Sequence, residues 1–288
     1  PIKDETLKFV KSGLSFQEYI GLNFALEKTK VESYDKVYIK TWQEAFDKDE
    51  PVEETIYGEL SGTRYVYNKK VLAWSMTEMV TITLYAEKDG IVYEGETIKL
   101  SVESAAKGGL EKQKSNAKVC AALVDMLNYG AAAQVYFGYN AENLVNAKLT
   151  AEQASWASEA PAITNHRVSS GCYHGSSLKL EEKIYLLTAF NVVYEEGMKA
   201  VVTFTNHYDK LVEQEVNVDV SGSYVTVCVE GMAIADFGTM VTCTLYSANG
   251  TELGAVTDSV ESYIARMGLG NLGDAIAKLG ASAYAYFH

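Results

Sequence analysis

Cysteine is scarce in this chain, at 4 in 288 residues, and no two cysteines form a CxxC pair. Cys120, Cys172, Cys228 and Cys243 are too few and too scattered for a disulfide scaffold, and they leave the redox compartment open. Basic residues are also in deficit: 25 Lys and Arg stand against 38 Asp and Glu, a formal net charge of -13. Such a surface repels phosphate backbones and anionic headgroups, so nucleic acid is not an expected partner and anionic membranes are disfavoured. No apolar run is long enough to cross a bilayer. The least charged stretch, 126–141, carries Asn128, Gln134 and Asn140 and reads as a soluble helix, so no membrane insertion is expected. No cleavable signal opens the sequence as given. A Walker motif, GxSxG, HExxH and a Cys-His finger are all missing. Tryptophan occurs three times and never after Trp156.

What is present is the composition of a folded protein, 48% apolar and 22% charged, with length enough for two ordinary cores. Tyrosine is abundant, at 20, which leans toward an extracellular β module.

The chain also repeats itself. Met79-Val80-Thr81-Ile82-Thr83-Leu84-Tyr85 returns as Met240-Val241-Thr242-Cys243-Thr244-Leu245-Tyr246. Just beyond lie the turn dipeptides Asp89-Gly90 and Asn249-Gly250, which supply the positive φ angles of tight hairpins. Ser101-Val102-Glu103-Ser104 returns as Ser259-Val260-Glu261-Ser262, and Gly130-Ala131-Ala132-Ala133 with Tyr136-Phe137 as Gly280-Ala281-Ser282-Ala283 with Tyr286-Phe287. Ser61-Gly62 with Tyr65-Val66 echoes Ser221-Gly222 with Tyr224-Val225. Matches kept in one order point to internal duplication.

In each copy strands come first. Val80, Ile82 and Leu84 alternate with Thr81 and Thr83, the pattern of a half-buried antiparallel strand. Further strands are expected at 19–26, 36–42, 55–60, 63–67 and 91–100, and in the second half at 183–193, 199–206, 214–220 and 224–229. Six or seven short strands per copy predict an immunoglobulin-like β-sandwich. Helices follow. Val119, Leu123, Met126, Gly130, Ala133 and Phe137 form a stripe at helical spacing, and Gly and Ala there let the axis lie close to its partner surface despite the helix cost of Gly. Shorter helices begin at each Ser-Val-Glu-Ser, with Asp258 and Glu261 spaced as a capping box. The expected fold is mainly β with helices (α+β): a first sandwich-plus-helix module at 1–140, a connector at 141–175 and a second module at 176–288. Within the connector, Thr150-Ala151-Glu152-Gln153 caps a short helix reaching Glu159, and 165–177 reads as loop.

The helix sequence Asn128-Tyr129-Gly130-Ala131-Ala132-Ala133-Gln134-Val135-Tyr136-Phe137-Gly138-Tyr139-Asn140, following a Ser-Val-Glu-Ser start, resembles a repeat found in large secreted or surface proteins of anaerobic Gram-positive bacteria. That largely uncharacterised family appears as accessory repeats beside other domains. The resemblance implies an extracellular, non-catalytic role and transfers no functional residues.

Candidate chemistry is thin. Gly268-Leu269-Gly270-Asn271-Leu272-Gly273 has the GxGxxG form, but a helix-like segment precedes it where a dinucleotide site needs a strand, so it reads as a helix-to-helix turn. His166, Cys172 and His174 are the one clustering of soft donors; their spacing fits no zinc pattern, and a polar hinge is preferred to a metal or nucleophile site. The acidic run 47–54 lacks the calcium loop DxDxDG and reads as solvated. Cys243 aligns with inward-facing Ile82 and reads as core. Tyr38, Lys40 and Trp42 share one strand face and Val37, Ile39 and Thr41 the other. Core packing is the favoured role of the aromatics; if the valine face is the core, Tyr38 and Trp42, with Trp74, are the candidate ligand-binding residues for a sugar or protein.

The chain is thus expected to be a non-enzymatic, secreted or cell-surface tandem module without cofactor or metal, acting as spacer, adhesion or protein-interaction unit toward a cell-surface protein or glycan. The alternative is a carbohydrate-binding module using Tyr38, Trp42 and Trp74. A remote third reading places an enzyme or metal site at the connector, near His174.

Overall fold

The computed structural model describes residues 1–288. The chain is mainly β with six helices, an α+β protein of several antiparallel sheets. It divides into two compact units, Pro1–Trp156 and Ala157–His288. Residues 141–156 of the expected connector therefore fall in the first unit and 157–175 in the second.

The first unit contains β1 (Ile2–Lys3), β2 (Lys11–Ser15), β3 (Gly21–Glu27), α1 (Lys28–Val31), β4 (Lys36–Gln43), β5 (Val52–Tyr57), β6 (Glu59–Ser61), β7 (Arg64–Lys70), β8 (Val80–Lys88), β9 (Ile91–Leu100), α2 (Val102–Lys112), α3 (Ala117–Phe137) and α4 (Ala151–Ala154). A five-stranded sheet has the order β1-β9-β8-β4-β5, and a four-stranded sheet the order β2-β3-β7-β6. Their inward faces supply the core. Val80, Ile82, Leu84 and Ala86 of β8 are all but solvent-free, as are Leu22, Phe24, Leu26 and Tyr67 of the smaller sheet. Period-two alternation puts these side chains on one face, and each large one removed from water contributes about 1.5–3 kcal/mol. Asp89 and Gly90 both take positive φ, 51° and 76°, and close the β8–β9 hairpin.

Helix α2 starts at a reciprocal cap, Ser104 N–H donating to Ser101 Oγ (3.0 Å) and Ser101 N–H to Ser104 Oγ (2.9 Å). Helix α3 packs on a short 3-10 turn, Ala73–Ser75. A Cβ placed on Gly130 would lie 2.7 Å from Met76 Sδ and 3.0 Å from Val145 Cγ1, so close approach is what this glycine serves. The buried surface of α3 is wider than a stripe, including Cys120, Val124, Leu127, Tyr129 and Gln134, while Phe137 is exposed. Gln134 ties the following chain back onto the helix: it donates to the carbonyls of Asn140 (3.1 Å) and Asn143 (3.0 Å) and accepts from Val145 N–H (2.9 Å). The short helix α4 is capped by Thr150 and Gln153 as expected and stops at Ala154, short of Glu159.

The second unit contains β10 (Val168–Gly171), β11 (Tyr173–Leu180), β12 (Ile184–Phe190), β13 (Lys199–Thr205), β14 (Leu211–Val216), β15 (Asp219–Ser221), β16 (Tyr224–Cys228), β17 (Val241–Tyr246), β18 (Glu252–Asp258), α5 (Val260–Met267) and α6 (Gly270–Phe287). Its sheets have the orders β10-β18-β17-β13-β14 and β11-β12-β16-β15. Element for element this is the order of the first unit. The exception is direction: β1 runs parallel to β9, whereas β10 runs antiparallel to β18. Each unit has nine strands, more than the six or seven expected, because the short edge strands carry no apolar alternation.

Several expectations are corrected in detail. Segment 165–177, read as loop for its Ser, Gly and His, contains β10 and the start of β11, paired to β18 and β12. Helix α5 is capped one residue later than expected, by Ser259 Oγ accepting from Ser262 N–H (2.9 Å). The buried carboxylate of Asp258 instead holds Arg266, Nη2 to Oδ2 at 2.8 Å and Nη1 to Oδ1 at 3.2 Å. The β6–β7 and β15–β16 hairpins have equal length, Ser61 opposite Arg64 and Ser221 opposite Tyr224. Val225 therefore stands where Tyr65 does, one residue off the letter match. Register also settles β13: Ala200, Val202 and Phe204 face the core.

One joint recurs with different chemistry. Phe46 N–H, after β4, donates to the buried Glu78 carboxylate (Oε1, 3.0 Å), while His207 N–H, after β13, donates to the buried Asp236 (Oδ1, 2.6 Å).

Candidate functional site

Inward burial of Val37, Ile39 and Thr41 turns Tyr38, Lys40 and Trp42 to the outer face of the five-stranded sheet. Register lays that face out in rows. Tyr38 stands between Tyr57 and Tyr85, Lys40 between Thr55 and Thr83, and Trp42 between Glu53 and Thr81. Tyr38 stacks on Tyr85, centroids 5.7 Å apart and planes 18° from parallel, and lies 5.9 Å from Tyr57. Lys36 sits 5.4 Å and 5.3 Å from the Tyr38 and Tyr57 rings. Desolvation among these neighbours, then the Glu87 hydrogen bond, pushes the Tyr38 phenol up. Glu53 accepts from both Lys40 Nζ (2.8 Å) and Trp42 Nε1 (3.2 Å). The Lys40 hydrogen bond holds the Glu53 carboxyl below its usual range and raises Lys40. Tyr38 is only 9% exposed, whereas Tyr57 is 54% exposed. Trp74 stands elsewhere, on the 3-10 turn, its ring 4.3 Å from Phe137 at the end of α3. Tyr38 and Trp42 thus share a surface; Trp74 belongs to a packing contact.

The connector residues are not gathered into a site. His166 donates its backbone N–H to Ser262 Oγ (2.8 Å), Cys172 its backbone N–H to the Leu253 carbonyl (3.0 Å), and the His174 ring stacks on Tyr224 at 4.4 Å. No group of three or more His, Cys, Asp or Glu side chains is arranged to hold a metal ion. All four cysteines are free thiols. Burial raises the thiols of Cys228 and Cys243 to about 11, far from the range of a nucleophile. Gly268 ends α5 in the left-handed conformation, φ 64°, and α6 begins at Gly270, so the GxGxxG segment is a helix-to-helix turn. From the acidic run, Asp47 accepts from the Tyr139 hydroxyl (3.3 Å), and Glu54 pairs with the buried Lys69 (2.7 Å).

The four-stranded sheet of the first unit carries a feature that sequence reasoning missed. Its outer face opens into a cleft of about 290 Å³ bounded by Lys11, Gly13, Asn23, Ala25, Arg64 and Val66. Three strands make the floor, with Gly13 opposite Asn23, then Lys11 opposite Ala25 and Ala25 opposite Val66; Asn68, opposite Asn23 on β7, lies next to the lining residues without being one of them. Small residues create the recess: a Cβ on Gly13 would meet nothing within 4 Å. The carboxamide oxygens of Asn23 and Asn68 are both buried and accept no hydrogen bond. Arg64 leans on Glu27 through Nε (3.0 Å). The available signal was asparagine at two strand positions, a residue type depleted in strands.

Compared with protein-family models and with curated proteins, the chain matches neither a family nor a relative.

Proposed function

We propose that this chain is a non-catalytic binding module, built of two copies of an immunoglobulin-like β-sandwich with C-terminal helices, that serves as a spacer, adhesion or protein-interaction unit on a secreted or surface protein. One observation carries the reading. The two units repeat the same strand orders and the same helix-on-turn packing, yet the reactive side chains differ at matching places. Phe46 stands where the other unit has His207, and the carboxylates that accept their N–H groups come from different positions, Glu78 after the first 3-10 turn and Asp236 within the second, at the place of Ser75. What is common to both copies is packing, and enzymes concentrate chemistry in one cleft. The extracellular assignment draws on the resemblance of the 128–140 helix to surface-protein repeats and on the tyrosine-rich strands.

A carbohydrate-binding reading is favoured by one feature of the first unit, the outer sheet face on which Trp42 lies beside the Lys40–Glu53 pair. Polysaccharide pull-down and glycan arrays with the intact chain, Trp42→Ala and Trp74→Ala test both. Loss of glycan retention with Trp42→Ala assigns that face; retention unchanged by either substitution removes the aromatic face from the reading. Turnover of a glycosidic, ester or peptide substrate by the purified chain would sink the non-catalytic proposal altogether.

A further inference from the structure

We infer that the cleft on the four-stranded sheet of the first unit is a binding site for an acidic saccharide residue, a polyhydroxylated ring bearing a carboxylate. This deepens the binding-module reading and rests on it.

The two halves of the molecule provide the comparison. Asn23 opposite Asn68 in the first unit corresponds to Leu187 opposite Cys228 in the second, two positions along from Ala25–Val66 and Ala189–Thr226 respectively. An apolar pair therefore suffices to build this sheet. The asparagine pair leaves two carboxamide oxygens buried without a donor, at a cost of about 1–3 kcal/mol for each such group. A feature that folding does not require and that lowers stability points to a ligand. Of the two, Asn23 lines the cleft, and what its carboxamide oxygen lacks is a hydroxyl or amide donor. The broad χ2 torsion of Asn23 lets its amide turn toward the cleft that its side chain lines.

The rest of the lining fixes the class. Lys11 and Arg64 bring two cations to the recess of a chain whose net charge is -13. Glu27 occupies Nε of Arg64, leaving the outer guanidinium nitrogens for a carboxylate. In the second unit the matching positions of Lys11, Gly13 and Arg64 are Gly175, Ser177 and Tyr224, and His174 stacks on that tyrosine. Neither cation is repeated there. At about 290 Å³ the cleft is at the small end of ligand sites, the scale of one sugar ring.

The test uses the full chain with trigalacturonate as the acidic probe and maltotriose as the neutral one, by titration calorimetry and by backbone NMR shifts. Trigalacturonate is expected to bind, with shifts at Gly13, Asn23 and Arg64, and to weaken severalfold in about 0.5 M salt. Gly13→Val fills open space with a strand-favouring side chain, so it should keep the unfolding midpoint while weakening binding roughly tenfold or more. Arg64→Tyr, which installs the second unit's residue, should do the same. No trigalacturonate binding, equal binding by Gly13→Val, or maltotriose bound as tightly would each overturn the assignment. Glycan or protein retention that survives Gly13→Val would overturn the cleft while leaving the module a binding protein, and substrate turnover would overturn the module reading itself.

Discussion

Asn23 and Asn68 face one another across β3 and β7, each with a buried carboxamide oxygen that nothing in the protein satisfies. The energetic consequence is independent of any ligand. Replacing both partners by apolar residues removes two desolvated acceptors, whereas replacing one leaves the other still buried. Asn23→Leu with Asn68→Val, patterned on the Leu187–Cys228 pair, should raise the stability of the first unit by about 1–3 kcal/mol for each carboxamide removed. Urea unfolding followed by tryptophan fluorescence reports on this unit, because Trp42, Trp74 and Trp156 all lie within it. An unchanged or lower midpoint would mean that the carboxamides are satisfied in solution.

One glycine in each long helix, Gly130 in α3 and Gly280 in α6, should tolerate no branched side chain. Gly130 lies against Met76 and Val145, and an added Cβ at Gly280 would come within 3.0 Å of Phe237. Any gain in helix propensity over Gly is outweighed by overpacking, so Gly130→Val and Gly280→Val should each cost about 1–3 kcal/mol. Gly108, on the open side of α2, is the control. Gly108→Ala should stabilise by a fraction of a kcal/mol, roughly the propensity difference. Thermal melts of the three variants decide it, and equal effects at Gly108 and Gly130 would remove the close-packing argument.

These residues also mark how far the sequence could be read. The alternation of β8, the Ser-Val-Glu-Ser helix starts and the Gly-Ala helix face are local patterns, and local backbone preference with burial determined them. Strands β10 and β11 were illegible because edge strands pair through backbone groups and need no apolar alternation, so Ser and Gly there look like loop. The cap of α5 was misplaced because Asp258 and Ser259 both suit the position, and the choice was made by Arg266, which claims the aspartate. Trp74 could not be separated from Tyr38 and Trp42 by spacing, since only the fold reveals that its partner is Phe137. The cleft depends on the register of β3 against β7, which joins asparagines far apart in the chain, and nothing local encodes it.

The thiols should be nearly inert in the folded protein. Burial raises Cys120, Cys172, Cys228 and Cys243 alike, and Cys120 and Cys243 are almost wholly removed from solvent. Thiolate is the reacting species, so alkylation at about pH 7.5 should be far slower than for a free cysteine. Cys172 and Cys228, which are half-buried, should react first and Cys243 only on unfolding. Mass spectrometry after timed iodoacetamide exposure reads this directly. Fast labelling of Cys172 would contradict the geometry and revive the connector as a reactive site.

Stability of the second unit should fall on mild acidification because of His207. Its ring is packed against Tyr208 (3.9 Å), Phe287 (5.5 Å) and His288 (5.5 Å), and its Nδ1 is buried without a partner. Desolvation pushes its pKa down from 6.5; His288 adds to that lowering and Asp236 opposes it. The sign follows from proton binding: below about 6.5 the unfolded chain takes up a proton that the folded ring resists. The stabilising contribution is therefore complete above 6.5 and is lost as pH falls through the depressed folded value. His207→Phe, which installs the residue found at the matching joint of the first unit, Phe46, retains the backbone N–H that Asp236 accepts. Hydrogen exchange at core amides of the second unit, Val202 and Cys243 among them, should show a stability decrease from about pH 7 to 5 in the parent chain and a smaller one in the variant. Equal slopes in the two proteins would show that another group carries the pH dependence.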